Sequence, residues 1–393
     1  MWAPALGIAA LYIGSTVLTP LYPVYRHAFG ISQLMVTVIY AVYAVGNLTV
    51  LFVFGRLSDQ IGRRSTALIS VGLTALSAML FLFAHNVVWL LGGRALNGVA
   101  AGLGAGALTA WIAELEPEGN RARAAMIASA WNLGGLAVGG ILAGLLAEYF
   151  GAPLRTVFGV YILVLLLVGL PLRKVTETVQ RRVNSMAALE LRPRLGIPKD
   201  IRLEFVAPAC MAFAAFALGG FFSALTPGLM TQELGLSNPA IIGLVVTVFF
   251  SSACLMAALL RGLSSWSAMF TGAGLVLPGV ALLILAETSR SMALVLLASV
   301  VAGAAMALSY RGSLQVINEI APAQKRAEVI SSYLLMCYLG NSLPVLGVGL
   351  LSTELKSTTA HIIFGAVVGG LALLALAVGG ASHRRIHQTA SPA

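Results

Sequence analysis

Two guanidinium groups lie inside apolar runs of this chain, and burial dictates what they can do. Arg94 falls about seven residues into the run 87–112, within Gly93-Arg94-Ala95-Leu96-Asn97-Gly98. At ~1.5 Å rise per residue that is roughly 10 Å from the start of the run. A lipid-facing arginine costs about 2.5–3.5 kcal/mol on insertion scales, so Arg94 must turn inward, away from hydrocarbon. Arg311 lies in the run 292–317, with Gln315 one turn further along the same helix face. Two such cations lining one cavity would favour an anionic or strongly polar ligand group. Each has a plainer alternative. Arg94 could be a structural guanidinium bonded to backbone carbonyls and Asn97, and Arg311 could snorkel to the interface.

The second concentration of chemistry is Gly55-Arg56-Leu57-Ser58-Asp59-Gln60-Ile61-Gly62-Arg63-Arg64. Its charges cannot sit in hydrocarbon, so it reads as a tight water-facing turn between two spans. Asp59 can accept hydrogen bonds from unpaired amides at the start of a facing helix, favoured by the helix dipole. Arg63 can pair with a carboxylate at the end of the fourth span, where Glu114 and Glu116 are the candidates, with Arg121 following in the next loop.

Absences narrow the chemistry further. No acidic residue falls in the middle of an apolar run, and His27, His85, His361, His383 and His387 lie at run ends, in loops or in the tail. Cys210, Cys254 and Cys337 are scattered through apolar runs and read as small hydrophobes. An enzyme working inside a membrane needs a cluster of His, Asp, Glu or an activated Ser, and none is visible. No catalytic residue, metal site or cofactor is therefore expected.

What positions these groups is a set of membrane helices. The chain has 393 residues, 59% of them hydrophobic and 10% charged, against about a quarter charged in soluble domains. Runs of about 20 apolar residues, the length that spans hydrocarbon, occur near 5–25, 33–54, 65–84, 87–112, 124–148 and 154–172. After a polar gap they recur near 206–229, 240–260, 266–286, 292–317, 329–351 and 361–380. The expected class is an all-α integral membrane protein with twelve spans. Its expected divisions are a first six-helix bundle at 1–172, a linker at 173–204 that is partly helical and surface-lying, a second bundle at 205–381, and a tail at 382–393. The net charge of +10 could suggest nucleic acid, but the lysines and arginines sit in loops between spans. Apart from the two inside spans, they all fall on one side except Arg26, Arg155, Arg290 and Lys356. The positive-inside rule then places both termini and the linker in the cytoplasm of a cell whose inner (plasma) membrane the chain crosses. The first run leads straight into more of the same, so the first helix serves as its own signal.

The halves echo each other. Leu18-Thr19-Pro20 is matched by Leu225-Thr226-Pro227, and Glu114, Pro117, Arg121 and Ala122 by Glu319, Pro322, Arg326 and Ala327. Such duplication is the mark of secondary transporters. Small residues including Gly98, Gly102, Gly106 and Gly144 read as sites of close helix approach. Polar and aromatic residues within spans are candidates for a cavity wall: Tyr12, Thr16, Tyr43, Asn47, Asn132, Phe222, Tyr333, Tyr338 and Asn341. Together they suit an amphipathic small molecule.

Gly55, Asp59, Gly62, Arg63 and Arg64 resemble the cytoplasmic loop signature of the major facilitator superfamily, with Gln60 standing where a basic residue is usual. Arg94, four before Gly98, resembles the helix 4 arginine motif of its proton-linked members. Gly135-Leu136-Ala137-Val138-Gly139-Gly140 is similar to the antiporters' Gly-Pro-x-x-Gly-Gly, with leucine at the proline position. The resemblance implies two six-helix bundles with the pathway between them. It also implies a cytoplasmic gate built from the opening loop, Glu114 and Arg121, and a coupling role for Arg94. Within the family the drug and metabolite exporter branch fits best, implying a monomer that moves a small amphipathic molecule outward by alternating access, with protons as one coupling option. The alternative is uptake of a small organic anion by symport or uniport, favoured by the two arginines and the missing buried acids.

Overall fold

The protein is described here by a computed structural model covering residues 1–180 and 195–390, with side chains to residue 384. Arg181, Arg182, Arg192 and Arg194, together with the helical reading of that part of the linker, lie outside the described residues. So do the side chains of Arg385 and His387.

Among the described residues, twelve helical stretches are long and apolar enough to cross a membrane. They are α1 (Trp2–Phe29), α2 (Gln33–Val53), α3 (Arg63–Leu82), α4 (Val87–Glu114), α5 (Arg121–Tyr149), α6 (Pro153–Leu172), α7 (Lys199–Glu233), α8 (Pro239–Leu259), α9 (Ser265–Thr288), α10 (Met292–Ile320), α11 (Ala323–Glu354) and α12 (Ser357–Arg384). Several are longer than the apolar runs that announce them, because a helix continues through polar turns beyond the hydrocarbon; the last one runs helically to Ala390. Short polar side chains start many of them. Ser32 accepts from the Met35 amide at 3.2 Å, Asn86 from Val88 at 3.0 Å and Asn120 from Arg123 at 3.0 Å.

Contacts divide the chain into two units. One comprises Met1–Pro193 with Gly235–Ser251, the other Arg194–Leu234 with Ser252–Ala393. In the first, α1 packs on α4, α5 and α6, and α2 and α3 both pack on α4. In the second, α7 packs on α10, α11 and α12, and α9 lies against α10 and α12. Glycines set the closest approaches. A Cβ on Gly98 would overlap the Tyr43 carbonyl of α2, and one on Gly312 of α10 would overlap the Met269 backbone of α9. Within the first unit, a Cβ on Gly144 of α5 would come 2.5 Å from the Pro239 carbonyl at the start of α8. Gly106 departs from this reading, since nothing lies within 4 Å of where its Cβ would be.

The repeated Leu-Thr-Pro triplets distort a helix in each unit, because proline contributes no N–H to the ladder. In α1 the chain tightens to a 3-10 turn at Thr19–Leu21. In α7 two π-helical turns, Phe221–Leu225 and Leu229–Glu233, flank Thr226–Gly228. Leu163, Leu166, Leu167 and Leu170 stand exposed along α6. Such an apolar face is what a bilayer covers.

Candidate functional site

Arg94 is wholly buried, at 0% exposure. Its Nη1 donates to the Ser15 carbonyl at 3.0 Å and its Nη2 to the Tyr22 hydroxyl at 2.8 Å. The guanidinium also lies 5.5 Å from the ring centres of Tyr40 and Tyr43, within cation–π range. The Tyr43 hydroxyl in turn shares a 3.0 Å hydrogen bond with the Ser15 hydroxyl. Three helices therefore hold this cation: α1 through Ser15 and Tyr22, α2 through Tyr40 and Tyr43, and α4 through Arg94 itself. Among the described residues no carboxylate pairs with it. Its Nε and the nearby Asn97 Oδ1 are buried without a hydrogen-bond partner. Of the two bonds expected of a structural Arg94, the backbone carbonyl is present and the Asn97 contact is not.

Around this cluster α1 is tied down by further polar contacts. The Thr16 hydroxyl donates to the Leu136 carbonyl of α5 at 2.8 Å, and the Tyr161 hydroxyl to the Ala10 carbonyl at 2.8 Å. Tyr12 and Asn132 are half-buried on α1 and α5. An apolar hollow of about 380 Å³ lies between α1, α5 and α6, lined by residues including Leu6, Ile13, Trp131 and Val164, and neither Tyr12 nor Asn132 is part of that lining.

The opening loop forms a second polar centre. Arg63 Nε and Nη2 donate to Glu114 Oε1 at 3.1 and 2.9 Å, and Nη1 donates to the Ser58 hydroxyl at 2.7 Å. Asp59 ion-pairs with Arg63 one helical turn away, so its carboxylate serves this arginine. Gly62 adopts φ +106°, a conformation that side chains strongly disfavour, which accounts for glycine at that position. The amides at the start of α3 are taken by a residue the sequence reading did not single out. Glu177, just after α6, accepts from the Arg63 amide at 2.8 Å and the Arg64 amide at 3.1 Å. Its neighbours hold the same place: the Thr178 hydroxyl donates to Glu114, and the Trp111 indole donates to the Thr176 carbonyl at 3.0 Å. Glu116 has a different task, accepting from the Glu118 and Asn120 amides at 2.9 and 2.6 Å and so folding the α4–α5 loop. Arg121 stands exposed at the start of α5.

In the second unit Arg311 donates to the Leu260, Arg261 and Leu263 carbonyls, closing the end of α8 and its loop, while Gln315 is exposed. Phe216 packs against Tyr310 and Tyr338 with ring centres 5.3 and 6.3 Å apart, and Tyr333 bonds the Ser313 hydroxyl at 2.7 Å. Asn341 is buried on α11. Among the described residues no acid lies mid-span, as expected, but Glu287 near the end of α9 is buried all the same, 3% exposed, and pairs with His361, 5% exposed. Both lie near helix ends, where hydropathy alone reads an interface and misses the cover supplied by neighbouring helices.

Twelve helices among the described residues, long and apolar enough to cross a membrane and packed around buried polar centres, define a multi-pass membrane protein. The Major Facilitator Superfamily model matches residues 5–345, and the chain belongs to that family. It is 25% identical over 116 residues to the quinolone resistance protein NorA of Staphylococcus aureus, a match spanning 30% of either chain. Among solved structures it is similar to a bacterial homolog of the human lysosomal transporter Spinster, with TM-score 0.74, 16% identity and 96% of each chain covered. It is equally similar in fold to a D-xylose–proton symporter, with TM-score 0.74, 16% identity, and 95% and 96% covered. At such identities the solved structures speak to the fold alone.

Proposed function

We propose that this transporter exports small, flat amphipathic molecules bearing an anionic group across the inner membrane by alternating access, with both termini in the cytoplasm. The observation that carries this reading is Arg94, a fully buried guanidinium with two tyrosine faces beside it and no carboxylate partner among the described residues. A carboxylate on an aromatic framework matches that arrangement: the charge meets the guanidinium and the ring meets the tyrosines. Support for export comes from the partial similarity to a quinolone resistance protein, quinolones being flat aromatic acids. In this reading the cluster of Arg63, Asp59, Glu114 and Glu177 acts as the cytoplasmic gate.

A second reading, uptake of a small organic anion, draws on the same unpaired cation. Flux of a fluorescent fluoroquinolone through proteoliposomes, with and without an imposed proton gradient, separates the two. Gradient-driven accumulation on the side away from the linker supports export by proton exchange. Flux that ignores the gradient removes the antiport version.

A further inference from the structure

Glu287 and His361 meet near the end of α9 and the start of α12, with the imidazole Nδ1 2.7 Å from the Glu287 carboxylate. Both side chains are almost fully enclosed. The Thr358 hydroxyl, on the first turn of α12, also hydrogen-bonds the Glu287 carboxyl. A carboxylate near a helix N-terminus is favoured in its charged form, and it can only accept, so Nδ1 carries the shared hydrogen. Histidine is the side chain whose ordinary charge change falls between about pH 5 and 8. The remaining nitrogen, Nε2, is then the place where a proton can come and go.

Among the described residues of this unit, no other charged side chain is buried. Among the described residues, α9 brings Glu287 alone, and α12 brings His361 with Thr358 close by. The part of α10 that begins at Met292 has no ionisable side chain before Tyr310, and the π turn of α7 presents Phe221. The nearest cations in the chain, Arg290 and Lys356, and the acid Glu354 are exposed in the loops or helix end nearby. With the proton bound, imidazolium and carboxylate cancel. When Nε2 gives its proton to water, one net negative charge is left enclosed, which is costly in a low-dielectric setting.

That change is felt at a deformable element. The His361 ring stands edge-on to Phe221 with centres 5.1 Å apart, and Phe364 closes on the Phe221 ring at 4.9 Å. Phe221 is the first residue of the two π-helical turns around Thr226–Gly228. Single π turns inside helices concentrate at functional sites, where their weaker hydrogen-bond ladder permits rearrangement.

We propose that Glu287 and His361 form a proton-binding site, and that proton release there loosens the α7 hinge at 221–233. The site takes its purpose from the transport reading above, while its test needs no substrate. Amide hydrogen exchange of the 221–233 segment, measured on the full chain in lipid nanodiscs and corrected for intrinsic rates, should lose about threefold or more protection as the pH is raised. His361→Gln keeps a donor but cannot hold the charge, and should abolish that pH dependence. Wild-type protection that does not change, or the same dependence in the variant, overturns the proposal. If His361→Gln fails to fold, NMR of histidine-labelled wild-type protein decides. A His361 ring that gains and loses its proton across the pH series, with a response altered in Glu287→Gln, supports the site, whereas a ring that keeps one protonation state throughout would contradict it.

Discussion

Arg63 and Glu114 join the start of α3 to the end of α4 through two-pronged donation from Nε and Nη2 to a single carboxylate oxygen at 3.1 and 2.9 Å. The same carboxylate also accepts the Thr178 hydroxyl from the linker, so helix, helix and linker meet at one acid. Glu114→Gln keeps the shape and removes the charge. The side chain is about a third exposed, which limits the loss to about 1 kcal/mol, or, if this cluster is the proposed gate, roughly fivefold in its closed-to-open ratio. Thiol labelling of a cysteine introduced at Ser58 should quicken by about that factor.

Glu177 satisfies two amides at the start of α3 and thereby pins the first residues of the linker. Glu177→Ala should cost about 1 kcal/mol, as removal of a helix N-cap does. Trypsin cleavage after Lys174 should accelerate several-fold while total helix content by circular dichroism stays unchanged.

Gly98 and Gly106 occupy the same helix and look alike in sequence, but only Gly98 touches a neighbouring backbone. Gly98→Ala should therefore lower the melting temperature of the detergent-solubilised protein, at an overpacking cost of about 1–3 kcal/mol. Gly106→Ala should leave it unchanged or raise it slightly, through better helix propensity.

These contrasts show what the sequence could and could not carry. Spans, the loop at 55–64 and the inward turn of Arg94 were legible because charge inside an apolar run has few places to go. Tyr22 and Tyr40 were not, since each looks like an ordinary interfacial or core tyrosine until α1, α2 and α4 are packed together. Glu177 was hidden in a polar linker where an acid needs no explanation. Glu287 and His361 lie more than 70 residues apart in the chain and meet only through the packing of α9 on α12. Arg311 was visible, but its three carbonyl acceptors depend on how the α8–α9 loop turns back.

Arg94 should discriminate between forms of one compound. Replacing it by lysine keeps the positive charge but loses the planar fork and its stacking on Tyr40 and Tyr43, so substrate affinity should fall by about tenfold, a cost of about 1.4 kcal/mol. Equilibrium binding by quenching of ligand fluorescence would read this directly.

The most direct measurement compares a fluoroquinolone acid with its ethyl ester in proteoliposomes of wild-type and Arg94→Gln protein. If the buried guanidinium recognises the substrate's anion, wild type moves the acid at least tenfold faster than the ester, about 1.4 kcal/mol of discrimination, and Arg94→Gln brings the acid down to the ester's rate. Equal rates for acid and ester in wild type, or undiminished acid flux in Arg94→Gln, would contradict it.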